Sequence, residues 1–216
     1  REDTIHITDA FLARAVPAIL AHTPGLEDRG SLLENFLEIN GALRKSEAED
    51  LRGLAKKSTP AFLWHRPFER LPRAAAKSSF ADHRTYVYKG KVIDHQYHLG
   101  IDLASVERAP IPAANDGIVL MARYFGIYGN AVVIDHGYGL MSLYGHLSSF
   151  AVKEGDHVRR GQVIGQTGET GLAGGDHLHF TMLLDGVPVK PHEWWDPHWI
   201  HDRVASKLGK ALEFTP

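Results

Sequence analysis

The chain has 216 residues, which is enough to bury the core of one ordinary domain, with or without an appendage. Its 24 basic and 26 acidic side chains give a net charge of -2, and this balance gives no indication of the strong positive field that attracts nucleic acid or a membrane surface. Cysteine is absent, so disulfides and thiolate metal sites are excluded, and only nitrogen and oxygen ligands are left to hold any metal ion.

The apolar residues of segment 1–75 recur with helical spacing. Thr8 is placed to cap a first helix, which Pro17 should kink or shorten. Ser31 with Glu34 has the pattern of a capping box and predicts the start of a second helix. We therefore interpret this segment as a helical appendage or spacer ahead of the main domain.

A second capping pattern follows within the same segment. Ser46 with Glu49 repeats the signal, and Gly41 upstream of them favours two separate helices over one continuous helix. Three prolines then indicate a linker, or an extended strip that wraps a neighbouring element. They are Pro60, Pro67 and Pro72.

Beyond residue 75 the apolar period changes to two, and short β-branched runs alternate with Gly-rich turns, which predicts a mainly β, antiparallel domain over 76–192. Asp196 and Pro197 are suited to cap and begin a short final helix within a C-terminal extension over 193–216. No apolar stretch approaches the roughly 20 residues of a membrane span, so none is predicted. The strand-like runs are YVYKGKVI, GIVLMARY, NAVVIDHG, LMSLYGHL, GQVIGQTG and HLHFTMLL.

His98 and Asp102 in YHLGID can reach a single metal ion only if the chain bends between them. On a straight strand, residues four apart lie roughly 13 Å from each other. Gly100 between them and the strand-rich surroundings favour a bend over a helix. By itself the pair is weak evidence for a metal site.

His177 and His179 in DHLHF are two residues apart, so on a strand they project from one face with α-carbons roughly 6.6 Å apart. One can ligate zinc while the other reaches a water or the substrate, and the spacing leaves open which does which. His146 in LYGHL lies among apolar neighbours, where a hydrogen-bonded structural histidine is the commoner explanation. Two acidic residues are candidates to orient an imidazole, although a turn role suits the first better: Asp135 and Asp176.

If these five side chains converge, they can form a catalytic zinc site. Such sites typically use three nitrogen or oxygen ligands and keep one position open for water. Two histidines and one aspartate make such a set, and two imidazoles are left over to move protons. The sequence therefore predicts a metal hydrolase if the five residues meet in space.

Residues 80–191 resemble the catalytic domain of the lysostaphin-type zinc peptidases, the LytM family. The resemblance runs through HLGID, GNAVVIDHGYGLMSLYGHL, VKEGDHVRRGQVIGQTGETG and HLHF, in that order. It implies an antiparallel β-sheet core built as a duplicated hybrid motif. It places the zinc ligands at His98, Asp102 and His179, and the catalytic histidines at His146 and His177.

The same resemblance implies hydrolysis of cross-links or stem peptides of bacterial peptidoglycan by a zinc-activated water, with the two catalytic histidines assisting. We then expect a periplasmic or extracellular location, with a signal segment removed before the present start at Arg1. Two departures from the family pattern concern substrate preference: Gly175-Asp176 stands where Gly-Pro is usual, and Thr181 stands where Glu is common. The oligomeric state is not predicted.

Three other interpretations compete with an active peptidase. The chain could be a catalytically silent LytM-like regulator that activates another cell-wall hydrolase, although such proteins usually lose ligands and all five positions are filled here. It could be a latent enzyme in which an N-terminal residue such as Asn40 fills the open zinc position. A biotinyl- or lipoyl-type carrier is suggested by 152–165, but no acceptor lysine stands at the expected hairpin tip.

Overall fold

The strand-rich prediction is confirmed by a computed structural model, which describes residues 1–208, Leu212 and Phe214. The rest of the predicted C-terminal extension, at 209–211, 213 and 215–216, lies outside the described residues. The strands are β1 (Glu2–Ile7), β2 (Ala75–Ser78), β3 (Asp82–Tyr88), β4 (Lys91–His98), β5 (Ile101–Ala104), β6 (Pro110–Pro112), β7 (Gly117–Tyr124), β8 (Asn130–Gly137), β9 (Leu140–Gly145), β10 (Ser149–Phe150), β11 (His157–Val158), β12 (Val163–Gln166), β13 (Leu178–Leu184) and β14 (Val187–Val189).

The largest sheet carries the core of the predicted β domain. Its strand order is β11-β7-β8-β9-β13-β5-β2, with β14 paired to β13, and its pairings are antiparallel. β8 and β9 are buried along their lengths because both faces of the sheet are covered. A smaller antiparallel sheet, β10-β12-β6, closes one side.

A third sheet joins the N-terminal segment to the β domain. It has the order β1-β3-β4, and β1 runs parallel to β3 while β3 and β4 form an antiparallel hairpin. The strand over Glu2–Ile7 corrects the purely helical interpretation of 1–75. The residues of this strand alternate between more exposed and more buried positions. The sequence did not predict the strand because the helical patterns that follow it are longer.

The helices of the N-terminal segment are α1 (Asp9–His22), α2 (Leu32–Glu38) and α3 (Arg44–Ala55). The predicted caps are confirmed at Thr8, whose hydroxyl accepts from the Phe11 N–H, and at Ser31, whose hydroxyl accepts from the Glu34 N–H. Pro17 is accommodated within α1.

The predicted break between the second and third helices is wrong. A π-helical turn over Ile39–Leu43 links α2 to α3, and α3 begins at Arg44 rather than after Ser46. Gly41 lies within this turn and does not interrupt the helix. The wider π-turn re-aims α3 relative to α2 while the backbone hydrogen bonds continue.

The proline-containing segment is an extended strip that wraps the β domain. Trp64, Phe68 and Leu71 are buried in the same core cluster as the large sheet. The Leu63 N–H donates to the His136 carbonyl and the Phe68 N–H to the Trp194 carbonyl, so backbone hydrogen bonds hold the strip in place. The boundary at residue 75, which stays a prediction, therefore does not coincide with a gap in packing.

Three short helices follow the last strand: α4 (Pro191–Trp195), α5 (Pro197–Ile200) and α6 (Ser206–Leu208). Asp196 caps α5, since its carboxylate accepts from the His198 N–H, and a π-turn over His201–Ala205 leads into α6. This confirms the predicted cap and a helical segment that reaches Leu208. None of the helices among the described residues has the length and apolar character needed to cross a membrane.

Candidate active site

His98 and Asp102 are brought together because the chain changes sheets between them. β4, which ends at His98, belongs to the N-terminal sheet, whereas β5, which begins at Ile101, belongs to the large sheet. The turn places His98 Nε2 3.0 Å from Asp102 Oδ1. The predicted bend is therefore present.

Gly100 serves this turn through its lack of a side chain. Its backbone is outside the left-handed region, so conformational freedom is not what the position requires. A Cβ there would lie 2.6 Å from both His179 Nε2 and Thr181 Oγ1. Glycine lets the turn approach the His179 ring closely.

His179 completes a triangle of ligand-type atoms. Strand β13 pairs His179 with Asp102 of β5, so the register of the sheet fixes their proximity. His179 Nδ1 lies 3.0 Å from Asp102 Oδ1 and 3.0 Å from His98 Nε2. All three residues are buried, and the three form a potential metal site.

Each imidazole of this triangle is oriented through its other nitrogen. His98 Nδ1 lies 2.9 Å from the Ser79 carbonyl oxygen, to which it donates, so Nε2 carries the lone pair. The Thr181 hydroxyl donates to the Leu99 carbonyl and accepts from His179 Nε2 at 2.9 Å, so Nδ1 carries the lone pair. Both lone pairs thus face Asp102, as a shared cation requires.

His146 and His177 face each other beside this triangle. Their ring centroids are 4.8 Å apart, and His177 Nε2 lies 3.5 Å from Asp102 Oδ1. His146 Nδ1 donates to the Thr170 carbonyl and His177 Nδ1 to the Gly175 carbonyl, each at 2.8 Å, so each Nε2 is the free nitrogen. All five predicted site residues are therefore brought together.

His146 has a strained backbone. It follows β9 with a φ of 68°, in the left-handed region that non-glycine residues seldom adopt, and its N–H donates to the Tyr128 carbonyl at 2.7 Å. Strain of this kind persists only where the surrounding structure enforces it. The sequence favoured a structural role for this histidine, and the fold turns its ring towards His177 instead.

Arg84 is a site residue that the sequence interpretation missed. Arg84 lies on β3 of the β1-β3-β4 sheet, and its Nη2 donates to Asp102 Oδ2 at 2.6 Å. Burial by itself raises the pKa of Asp102, but the imidazoles of His177, His179 and His98, which donate to its carboxylate whenever the facing nitrogen carries a proton, outweigh burial and hold that pKa well below its ordinary value. No local motif marks Arg84, because its role depends on pairing between distant segments.

Burial sets the protonation of the histidines. It lowers the pKa of His179 to about 4, and burial together with the nearby His177 lowers the pKa of His146 well below its usual value. Burial also acts to lower the pKa of His177, but the hydrogen bond to Asp102 outweighs it and raises that pKa. At neutral pH the site thus holds an ionised Asp102 and a neutral His179, the forms in which these groups bind a cation.

Three residues considered in the sequence lie away from the ligand triangle. Asp135 accepts from the Ser58 hydroxyl and from the Thr59 N–H, which fastens the extended strip. Asp176 accepts from the Thr167 hydroxyl at 2.6 Å. The buried Asn40 donates to Asp94, so its side chain is engaged elsewhere and does not fill the site.

Two cavities border the cluster. His98, His146 and His179 line one of about 250 Å³, which α3 bounds on another side. Asp102 and His177 line a second cavity of about 220 Å³ together with Gly174 and Gly175. An extended ligand crossing from one cavity to the other would pass the ligand triangle.

A family model described as Peptidase family M23 matches residues 96–191, the span that contains all five predicted site residues. The chain carries a peptidase family M23 domain. The sequence resemblance to lysostaphin-type peptidases is thereby confirmed, and the M23 domain is that of a metallopeptidase family. Segment 1–75 lies outside the match.

Individual relatives of this M23 domain agree with the family model. The chain is 39% identical over 127 residues to Peptidoglycan DD-endopeptidase ShyA of Vibrio cholerae, which covers 57% of this chain and 29% of that protein. It spans less than a third of the length of such curated relatives.

Two solved structures have a fold similar to that of this chain. A putative peptidase M23 from Pseudomonas aeruginosa has a TM-score of 0.59 at 27% identity, over 71% of this chain and 61% of that one. A zinc containing peptidase from Vibrio cholerae has a TM-score of 0.52 at 34% identity, over 59% of this chain and 40% of that one. The mainly β, antiparallel fold class is confirmed.

Proposed function

We propose that this protein is a zinc-dependent endopeptidase that hydrolyses the peptide cross-links or stem peptides of bacterial peptidoglycan. The observation that carries the proposal is the convergence of His98, Asp102 and His179 within 3.0 Å of one another, with His146 and His177 beside them. The ligand set and the two flanking imidazoles lie within an M23 domain.

The donor set fits zinc. Two imidazole nitrogens and one carboxylate oxygen are ligands that zinc takes at about 2.0–2.2 Å, and in tetrahedral geometry such ligands lie about 3.3 Å apart. The three atoms, at 3.0 Å from one another, need only a small expansion to reach that spacing. When bound, zinc would supply a Lewis acid that polarises the scissile carbonyl and lowers the pKa of water.

The remaining chemistry falls to His146 and His177. Each ring is fixed through Nδ1 by a backbone carbonyl and offers Nε2 towards the cluster. One accepts the proton of the attacking water at Nε2, and the other, when its ring also carries a proton at Nε2, donates a hydrogen bond to the developing oxyanion. Because the rings are held before the substrate arrives, the reaction does not have to order them.

The substrate class is supported by the relative described as a Peptidoglycan DD-endopeptidase, to which this chain is 39% identical over 127 residues. Peptidoglycan lies outside the cytoplasmic membrane, so the protein would act in the periplasm or outside the cell. The alternative of a catalytically silent regulator is disfavoured because all five site positions are filled and their imidazoles are oriented.

The proposal is tested by release of soluble muropeptides from purified sacculi, followed by mass spectrometry. We expect release by the zinc-loaded protein, loss after chelation and recovery when zinc is returned. His146→Ala and His177→Ala should each abolish release. His157→Ala, which removes an exposed histidine of β11, is the matched control and should release at the wild-type rate.

Failure of the zinc-loaded protein to release any peptide would overturn the proposal and favour the silent regulator. Undiminished release by His177→Ala would contradict the assigned chemistry. The masses of the products identify which peptide bond is cut.

A further inference from the structure

The cavity beside His98, His146 and His179 has a wall from outside the matched M23 segment. Helix α3 contributes Arg44, Lys45 and Arg52 to its lining. At about 250 Å³ the cavity has room for on the order of eight waters, or for one peptide residue. A residue bound next to the scissile bond would therefore contact α3.

Helix α3 is a fixed wall. Leu51 is 2% exposed and packs into a core cluster with Met121 and Leu183 of the large sheet. Gly186 lies so close that a Cβ there would be 2.4 Å from the Arg52 α-carbon. Glu47 accepts a hydrogen bond from the Ile127 N–H at 3.1 Å. These contacts join α3 to the domain at three separate points.

The charge of this cavity is one-sided. Arg84 joins the three α3 cations in the lining, and no carboxylate is among the lining residues. Arg84 is paired with Asp102, but within the described part of the chain Arg44, Lys45 and Arg52 form no ion pair. Burial raises the pKa of the adjacent Glu47 to about 8, so this carboxyl is neutral at pH 7 and does not offset them.

Arg44 is held in position before any ligand binds. Its Nη2 donates to Asn40 Oδ1 at 2.6 Å and its Nε to the Asn40 carbonyl at 3.1 Å. Asn40 is itself buried and donates to Asp94. Two of the guanidinium nitrogens, Nε and Nη2, thus hold the group in place. The N–H groups of Nη1 are left to bind a ligand. A planar, preorganised guanidinium is well suited to bind a carboxylate.

We propose that this cavity is an anion-binding subsite, in which Arg44, assisted by Lys45 and Arg52 at its rim, binds a free carboxylate on the substrate residue beside the scissile bond. The inference rests on the proposed function and extends it to a substrate class. Stem peptides of peptidoglycan carry such carboxylates on glutamate, on the diamino acid of the cross-link and at their C-termini. The segment preceding the M23 match would then select the substrate.

The test compares two synthetic cross-linked peptide dimers that differ at one group. The diamino residue beside the scissile bond carries a free carboxylate in one dimer and a primary amide in the other. Binding is measured by calorimetry with zinc-loaded His177→Ala protein, in which cleavage is blocked. We expect the free carboxylate to bind at least tenfold more tightly, as for a charge-assisted hydrogen bond.

Variants on the same background assign this preference. Arg44→Gln should remove the preference for the free carboxylate, and Arg44→Lys should keep part of it. Arg52→Gln, at the exposed rim, should weaken the preference severalfold while leaving the hydrogen bonds between Arg44 and Asn40 in place. Lys56→Gln changes an exposed cation just beyond the end of α3 and should leave the tenfold ratio intact.

Equal affinity for the two dimers, no binding of either, or a preference that survives Arg44→Gln would each overturn the subsite. A tenfold binding preference in a protein whose wild-type form cleaves neither dimer would contradict the hydrolase and leave the subsite standing. The two proposals therefore fail in distinguishable ways.

Discussion

Arg84 Nη2 donates a 2.6 Å hydrogen bond to Oδ2 of Asp102, while Oδ1 of the same carboxylate faces His98 and His179. The two oxygens thus have different partners. Arg84 holds the carboxylate turned so that a single oxygen points into the ligand triangle. Removing a residue that hydrogen-bonds to a metal ligand and orients it typically weakens metal affinity about 10–100-fold.

Arg84→Gln should therefore weaken zinc binding by about 10–100-fold, because Oδ2 loses a charged donor and the carboxylate can rotate. Competition with a chromophoric chelator measures the affinity. Arg84→Lys should recover part of it, since a charge remains without the planar fork. Arg159→Gln, which alters an exposed arginine, is the control, and an unchanged zinc affinity in Arg84→Gln would show that Asp102 holds its orientation unaided.

Gly100→Ala should weaken zinc binding at least tenfold. The added Cβ would lie 2.6 Å from His179 Nε2 and from Thr181 Oγ1, so the ring or the turn has to move. Gly174→Ala is a matched control, because a Cβ there meets nothing within 4 Å. Zinc titration of both variants distinguishes a local steric effect at Gly100 from a general cost of replacing glycine. Equal zinc affinities in the two variants would contradict the steric effect.

Glu47→Gln should stabilise the protein increasingly as pH rises from about 4.5 to 8. Burial raises the Glu47 pKa to about 8 in the folded protein, from an ordinary 4.5. Between these values the unfolded chain releases a proton that the folded protein keeps, so wild-type stability falls by about 1.4 kcal/mol per pH unit and by about 3 kcal/mol near pH 7. Glutamine removes this loss and retains an acceptor for the Ile127 N–H.

Urea denaturation at pH 5 and at pH 7.5 measures the effect of Glu47→Gln. Glu49→Gln, exposed on the same helix, should show no such divergence. If the wild-type and Glu47→Gln stabilities stay parallel across this range, the buried carboxyl is ionised in the folded protein.

Acid should destabilise the fold through His136. This histidine is fully buried, with Nδ1 near the Asp116 carbonyl and Nε2 near the Ser142 hydroxyl, and burial lowers its pKa to about 4. Its contribution is present above the unfolded pKa of about 6.5 and is lost as pH falls towards 4, a total of about 3 kcal/mol.

Unfolding of the metal-free protein between pH 4.5 and 6.5 tests the role of His136. The pH slope of the free energy of unfolding should be smaller in His136→Gln by up to one proton, about 1.4 kcal/mol per pH unit. His157→Gln, which changes an exposed histidine, should keep the wild-type slope. Identical slopes in His136→Gln and wild type would mean that His136 titrates normally.

Local patterns in the sequence predict most of the β domain. The runs GIVLMARY and NAVVIDHG correspond to β7 and β8 residue for residue, because period-two alternation reports directly on strands. The caps at Thr8 and Ser31 are confirmed for the same reason, since each depends on contacts within four residues.

Features that depend on distant pairing were missed. The position of α3 over the site depends on the π-turn at Ile39–Leu43 and on the burial of Leu51 against the large sheet, and neither has a local signature. Arg84 reaches Asp102 from another sheet, and Thr181 orients His179 through the Leu99 carbonyl. The packing of distant strands and sheets against one another, which local patterns do not encode, decides these contacts.

In the proposed site His98, Asp102 and His179 hold the metal, whereas His146 and His177 do not. The most direct measurement is the zinc content of purified wild-type, His179→Ala and His177→Ala proteins, by mass spectrometry after dialysis against excess zinc. We predict one zinc per chain in wild type and in His177→Ala, and its loss in His179→Ala. A full complement of zinc in His179→Ala, or its loss in His177→Ala, would contradict this division of roles.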